Sequence, residues 1–367
     1  MCFKSPVMVL ACLWAGMMTD KSVGFIYNLT MKSVSVIIAT FNAGSVFEEY
    51  LKSIKSQDYD HKKIEIIVAD GGSTDGTVEL AKKYGCRVIM EKTGSPEGAK
   101  AVALKKAKNE LILIGDSDNI WPSKTWLKKM IEKDSGQARM TKEILAVYPW
   151  RYTYRKKDSL MNRYFALLGA NDPVVWFLGK TDRQSYLSDK WGLGGKLIKE
   201  TKKYFVVEYS QDNLPTVGAN GFLIRRKDLL KAKVGEKDYF HIDVILDLVK
   251  KKPRKFVVLK TDIVHKTGED LVSFLRKRSR YMRELYLRDS SRRRYFIYKL
   301  GRDEVKTLWF SLYALSVVLP LIDAIKGYVK KRDLAWFMHP VMCFCIFWVY
   351  FLVVLRHLWE VKIRNIL

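Results

Sequence analysis

Between Ser33 and Ile114, short β-branched or apolar runs alternate with segments whose apolar residues recur at helical spacing, and no other feature restricts the fold so far. Ser33–Thr40 reads as a strand, and Ser45–Gln57 follows with Val46, Phe47, Tyr50, Leu51 and Ile54 on one helical face. The pattern repeats with Ile64–Ala69 and Thr77–Tyr84, then with Arg87–Met90 and Gly98–Lys108, and reaches a fourth strand at Glu110–Ile114. Such alternation predicts an α/β fold, a doubly wound and mostly parallel Rossmann-like sheet whose ligand sits beyond the carboxyl ends of the strands.

Polar loops fall at three of those ends. Thr40-Phe41-Asn42 follows the first strand, Asp70-Gly71-Gly72-Ser73-Thr74-Asp75-Gly76-Thr77 the second, and Asp116-Ser117-Asp118 the fourth. Carboxylates spaced i, i+2 at a strand end can turn toward one site, and hard oxygen ligands suit Mg²⁺ or Mn²⁺, which in turn favour phosphate oxygens. Asp70 leaves a buried strand and is expected to contact ligand, with glycines beside it that let backbone approach closely. Asp75 is expected to cap the next helix.

These three motifs, in this order and spacing over about Lys32–Met130, resemble the nucleotide-sugar-binding half of a family 2 glycosyltransferase of GT-A fold. The resemblance implies an inverting enzyme that uses nucleoside diphosphate sugars, UDP- or GDP-linked, with Mn²⁺ or Mg²⁺ as cofactor. It puts Thr40, Phe41, Asn42, Asp70, Gly71, Ser73, Asp116, Ser117 and Asp118 on the nucleotide sugar, and Asp116 and Asp118 on the metal. His265, at a late strand end, is implied as a third metal ligand. The family's usual Arg-Asn in the helix before the metal strand is replaced by Ala103 and Leu104.

Thr216–Arg226 resembles the family's glycine-rich acceptor loop, so Gly218, Asn220 and Gly221 are expected near acceptor or phosphate. Inverting transfer needs a carboxylate to take the acceptor's proton. Asp243 stands at the family's position for that base, about twenty residues after the loop, with Asp238 as the alternative and a helix N-cap as the structural role. Phe274–Tyr281 resembles the Gln-x-x-Arg-Trp element, with Lys277 and Tyr281 in place of Gln and Trp, which implies that Arg278, Arg280 and Tyr281 meet phosphate or acceptor.

The net charge of +26 demands an acidic partner. Arg276, Lys277, Arg278, Arg280, Arg283, Arg288, Arg292, Arg293 and Arg294 gather before two apolar segments, which points to an anionic membrane surface rather than nucleic acid. Leu334–Leu355 is long enough to cross a bilayer; Leu308–Ile322 is shorter, contains Pro320, and could span with a kink, re-enter or lie at the interface. Five scattered cysteines, without a CxxC pair, indicate a reduced protein without structural zinc. Val7–Met18 resembles a signal-like or anchoring apolar stretch. The expected organisation is an uncertain extension over 1–31, the nucleotide-sugar half over 32–130, an acceptor half over 131–275, basic juxtamembrane helices over 276–306, and a membrane helical hairpin over 307–367.

The function expected is transfer of a sugar to a lipid-linked saccharide by a membrane-attached enzyme whose catalytic domain faces the cytoplasm. A polyprenyl-phosphate sugar synthase is the alternative, and a non-catalytic membrane scaffold with a nucleotide-sugar fold is the second.

Overall fold

A computed structural model describes residues 32–131, 143–268, 270–288, 292–298 and 303–364; the apolar stretch Val7–Met18 lies outside them. The predicted alternation is present: β1 (Val34–Thr40), α1 (Gly44–Lys55), β2 (Ile64–Asp70), α2 (Thr77–Lys83), β3 (Arg87–Met90), α3 (Pro96–Lys106) and β4 (Leu111–Asp116). Alternate residues of the central strands bury into opposite layers. Val34, Val36 and Ile38 of β1 join Leu111 and Leu113 of β4 beneath Phe47, Tyr50, Leu51 and Ile54 of α1. Ile37, Ile112 and Ile114 pack instead against Ala99, Ala103 and Leu104 of α3. Both faces being covered, the strands read as continuous apolar runs.

The second half comprises β5 (Asn119–Ile120), α4 (Trp126–Ile131), β6 (Ile144–Tyr152), α5 (Leu160–Leu168), α6 (Pro173–Phe177), β7 (Lys196–Glu200), β8 (Tyr204–Tyr209), β9 (Phe222–Arg225), α7 (Arg226–Leu229), α8 (His241–Lys250) and β10 (Arg254–His265). The strand order is β3-β2-β1-β4-β9-β6-β10-β8-β7, with β5 on β10. The sheet is mixed, not mostly parallel as the alternation suggested. β1 to β4 are parallel, but β9 enters antiparallel between β4 and β6, and β7 and β8 form an antiparallel edge. The two halves thus share one continuous sheet.

β10 runs parallel to β6, slips register between Leu259 and Asp262, and pairs at its end with β5, so that His265 faces Asn119. α9 (Leu271–Tyr281) then leads through a wider helical turn, Met282–Arg288, to the basic segment. The carboxyl-terminal part holds α10 (Glu304–Ser316), α11 (Val318–Lys330), a 3₁₀ turn over Leu334–Phe337 and α12 (Met338–Arg364). α10 and α11 meet at 82°. The break falls at Val317, which adopts φ 56°, and not at Pro320. Pro320 sits in the first turn of α11, where a missing N–H leaves no intrahelical bond unmade. Among the described residues one helix, Leu334–Glu360, is long and apolar enough to cross a membrane.

Candidate active site

The loops after β1 and β2 are tied to each other. Asn42 donates its N–H to Ser73 Oγ at 2.8 Å and accepts from Thr74 N at 2.9 Å, and Asp75 accepts from Gly44 N at 3.0 Å and Thr77 N at 3.1 Å. Asp75 therefore has the structural part expected of it. Asp70 departs from expectation. It is fully buried, and its oxygens accept from Gly72 N, Ser73 N, Ser73 Oγ and Thr40 Oγ1 at 2.6–3.0 Å. Four donors from its own loops fill the carboxylate, so Asp70 shapes the loop, with the Thr40 and Ser73 hydroxyls bonded to it, and its own oxygens offer no free lone pair to a base. Burial alone would raise this carboxyl, but the hydrogen bonds, those of Ser73 foremost, hold it below the usual range. Phe41 is the outward-facing member, 65% exposed.

At the end of β4 the Asp116-Ser117-Asp118 turn is braced by Asn119. Its Oδ1 accepts from Asp116 N at 2.9 Å, and its Nδ2 donates to Asp118 Oδ1 at 3.2 Å and to Asn220 Oδ1 at 3.1 Å. His265 Nε2 lies 3.4 Å from Asp118 Oδ2. Burial disfavours both charges, yet each partner keeps the other charged: Asp118 is held low by His265, and His265 is raised by Asp118. Lys277 of α9 adds positive potential at Asp118. Two of the three expected metal residues thus face one another. Asp116 is engaged differently, since Lys100 Nζ sits 2.6 Å from its Oδ1.

Lys100 is a buried cation, 2% exposed, on an alanine-rich helix. It also reaches Glu97 at 3.1 Å, and Glu97 accepts from His241 N at 2.9 Å and faces His241 Nδ1 at 3.1 Å. Burial would strip charge from Lys100, but Asp116 and Glu97 keep it well above an ordinary lysine. Neither Glu97 nor Lys100 was expected from the sequence. The available signal was a Glu/Lys pair at i, i+3 within Pro96–Lys106, a spacing that usually marks a solvated helix face.

The glycine-rich loop lies beside the Asp118 turn, but Asn220 buttresses it. Asn220 is buried at φ 55°, bonded to Asn119 on one side and donating to Tyr152 Oη at 2.9 Å on the other. Tyr152 in turn meets Asp182 at 3.2 Å and lies over the His265 ring, centroids 5.1 Å apart. Gly221 adopts φ 81°, which favours glycine, and a Cβ there would lie 2.7 Å from Ile263 Cδ1 and 3.1 Å from the Trp126 ring; at Gly218 one would lie 2.8 Å from the His241 carbonyl.

Asp243 is also corrected. It is 1% exposed, and its oxygens accept from Arg293 Nε at 3.0 Å, Arg293 Nη2 at 3.1 Å, Arg294 N at 3.0 Å and Tyr295 N at 3.0 Å. In this arrangement the carboxylate anchors the basic segment and is not open to a substrate hydroxyl. Asp238, the alternative, is exposed in the turn that precedes α8. Arg278 pairs with Asp172 and donates to Tyr350 Oη, so it joins α9 to α12 rather than reaching the Asp118 turn. Arg280 is exposed and borders the Tyr281 ring.

Among the described residues no group of three or more His, Cys, Asp or Glu is set to hold a metal ion. Asp118 and His265 nevertheless bring an oxygen and a ring nitrogen within 3.4 Å of each other; a divalent cation entering there would displace the imidazolium proton and complete its shell with waters and substrate phosphates. The carboxylate suits Mn²⁺ or Mg²⁺, and the imidazole would join it in its neutral form.

Residues 35–183 match the model of glycosyl transferase family 2. The chain is 31% identical over 242 residues to the UDP-Glc:alpha-D-GlcNAc-diphosphoundecaprenol beta-1,3-glucosyltransferase WfaP of Escherichia coli, covering 58% of this chain and 90% of that one. It is 34% identical over 95 residues to the poly(ribitol-phosphate) beta-N-acetylglucosaminyltransferase TarS of Staphylococcus aureus, a match spanning 24% of this chain and only 17% of TarS. Among solved structures, the mannosyltransferase PcManGT from Pyrobaculum calidifontis, in complex with GDP-Man and Mn²⁺, covers 90% of this chain and 88% of its own at 15% identity and a TM-score of 0.46. The family match over the strands that carry Thr40, Asp70 and Asp116, with the WfaP likeness over nine-tenths of that relative, identifies the chain as a family 2 glycosyltransferase with a mixed α/β sheet of GT-A type.

Proposed function

We propose that the enzyme moves a sugar, with inversion, from a UDP- or GDP-sugar to a lipid-linked saccharide at an anionic membrane surface, assisted by Mn²⁺ or Mg²⁺ at Asp118 and His265. One observation carries this reading. A single helix, α9, carries Lys277, whose positive charge is felt at Asp118, while its Phe274 and Arg278 pack against the apolar carboxyl-terminal helices. A sugar activated at the Asp118 turn would thus lie beside the surface from which a lipid acceptor presents itself. A bound cation would neutralise the departing diphosphate. Lys277 supplies further positive charge there, Lys100 holds Asp116 in orientation, and Asn119 with Asn220 fixes the turn. The WfaP likeness, to an enzyme named for a diphosphoundecaprenol-linked acceptor, supports the acceptor class. Free buried Cys86 and Cys343 accord with a reducing, cytoplasmic location.

The occupied carboxylate of Asp243 favours a second reading, transfer to polyprenyl phosphate, whose nucleophile arrives deprotonated and needs no base. Purified enzyme supplied with UDP- and GDP-sugars and Mn²⁺ should glycosylate a GlcNAc-diphospho-polyprenol and not polyprenyl phosphate. Turnover of the phosphate alone would establish the second reading, and transfer to neither would refute both.

A further inference from the structure

Position 71, immediately beyond β2, has no side chain, and two groups from neighbouring strands border the space it leaves. A Cβ there would lie 3.2 Å from Glu91 Oε1 and 3.6 Å from Phe41 Cδ2. Glu91 follows β3 and is fixed at both ends. Its N–H donates to the Asp70 carbonyl at 2.9 Å, and its Oε2 accepts from Thr93 N at 2.5 Å and from Thr93 Oγ1. Oε1 has no hydrogen-bond partner among the described residues and can only accept. An exposed aromatic face and an acceptor-only oxygen therefore meet at one point on the strand-end row β3-β2-β1-β4, whose far end carries Asp116 and Asp118.

We infer that Glu91 reads the nucleobase of the donor, accepting the ring imino N–H of uracil, thymine or guanine while Phe41 packs on the base. The inference rests on the nucleotide-sugar reading of the site and gives Glu91 the contact that the buried Asp70 cannot make. Cytosine and adenine carry a ring-nitrogen lone pair where the other bases carry that proton, so the carboxylate repels them. Stacking on Phe41 is indifferent to the distinction, because every base has a π-face.

Glu91→Gln makes this testable without loss of shape. The Thr93 N–H requires an acceptor, so it holds the glutamine carbonyl oxygen and leaves the amide NH₂ at the place of Oε1. That group opposes an imino N–H and pairs with a lone pair.

Titration calorimetry of UDP, CDP, GDP and ADP in the presence of Mn²⁺ should give the wild type at least a tenfold preference for UDP over CDP, or for GDP over ADP. In Glu91→Gln that ratio should fall at least tenfold, with an unchanged thermal midpoint. Phe41→Ala should weaken the nucleotides together and keep the ratio. An unaltered ratio in folded Glu91→Gln, or no such preference in the wild type, overturns the assignment of Glu91 alone. Failure of the wild type to bind any of the four overturns the nucleotide reading, and Glu91 with it.

Discussion

Asp70 shows how a single side chain can set a whole loop. Its four accepted hydrogen bonds hold the turn after β2 against the end of β1, so Asp70→Ala leaves the Gly72 and Ser73 N–H groups without their acceptor. The expected cost is about 1–3 kcal/mol in denaturant unfolding. Because the folded carboxyl lies below its unfolded value, the wild type gains this stability above the ordinary carboxylate range and loses it as pH falls through the folded value; the variant should lack that acid limb. Lys100→Met removes the cation that bridges Asp116 and Glu97 and should cost about 3–5 kcal/mol, the scale for breaking a buried pair from one side. Asp116, Asp118 and His265 were legible in the sequence because strand ends are visible as apolar runs that stop at polar residues. Lys100 was not, because a lysine among alanines looks solvated until Asp116 is seen above it. Asp243 misled for the opposite reason, since its partner Arg293 lies fifty residues on within a basic run that reads as uniform.

Among the elements, the first four strands and three helices follow from periodicity to within two residues at their ends. The order of the remaining strands does not, because β9 and β10 find their places through pairings between segments distant in sequence. β10 matters most to the site. Its register shift against β6 and its short pairing with β5 carry His265 to the Asp118 turn. The carboxyl-terminal elbow depends on a close approach, in which a Cβ on Gly327 of α11 would lie 2.3 Å from the buried Trp336. Gly327→Val should force Trp336 from its place at a cost of about 1–3 kcal/mol, read as a lower midpoint in denaturant unfolding. The sequence marked Pro320 as the place for a kink, but only a contact map distinguishes a proline in a first turn from one in mid-helix.

Over the whole molecule, an electropositive chain meets an apolar helical surface. Leu308, Trp309 and Leu312 of α10 and Trp348, Phe351 and Leu352 of α12 are all exposed, while basic residues precede them in the chain. Binding to phosphatidylglycerol vesicles should weaken several-fold between 50 and 500 mM salt as charge attraction is screened, yet persist through the apolar face. Trp348→Asp with Leu352→Asp should reduce the persistent part in a flotation assay. If Asp118 and His265 form the proposed metal-assisted nucleotide-sugar site, calorimetry of UDP- and GDP-sugars should show at least one donor whose binding to the wild type strengthens tenfold or more with Mn²⁺ and loses that gain in Asp118→Asn; binding indifferent to both Mn²⁺ and Asp118 would refute the site.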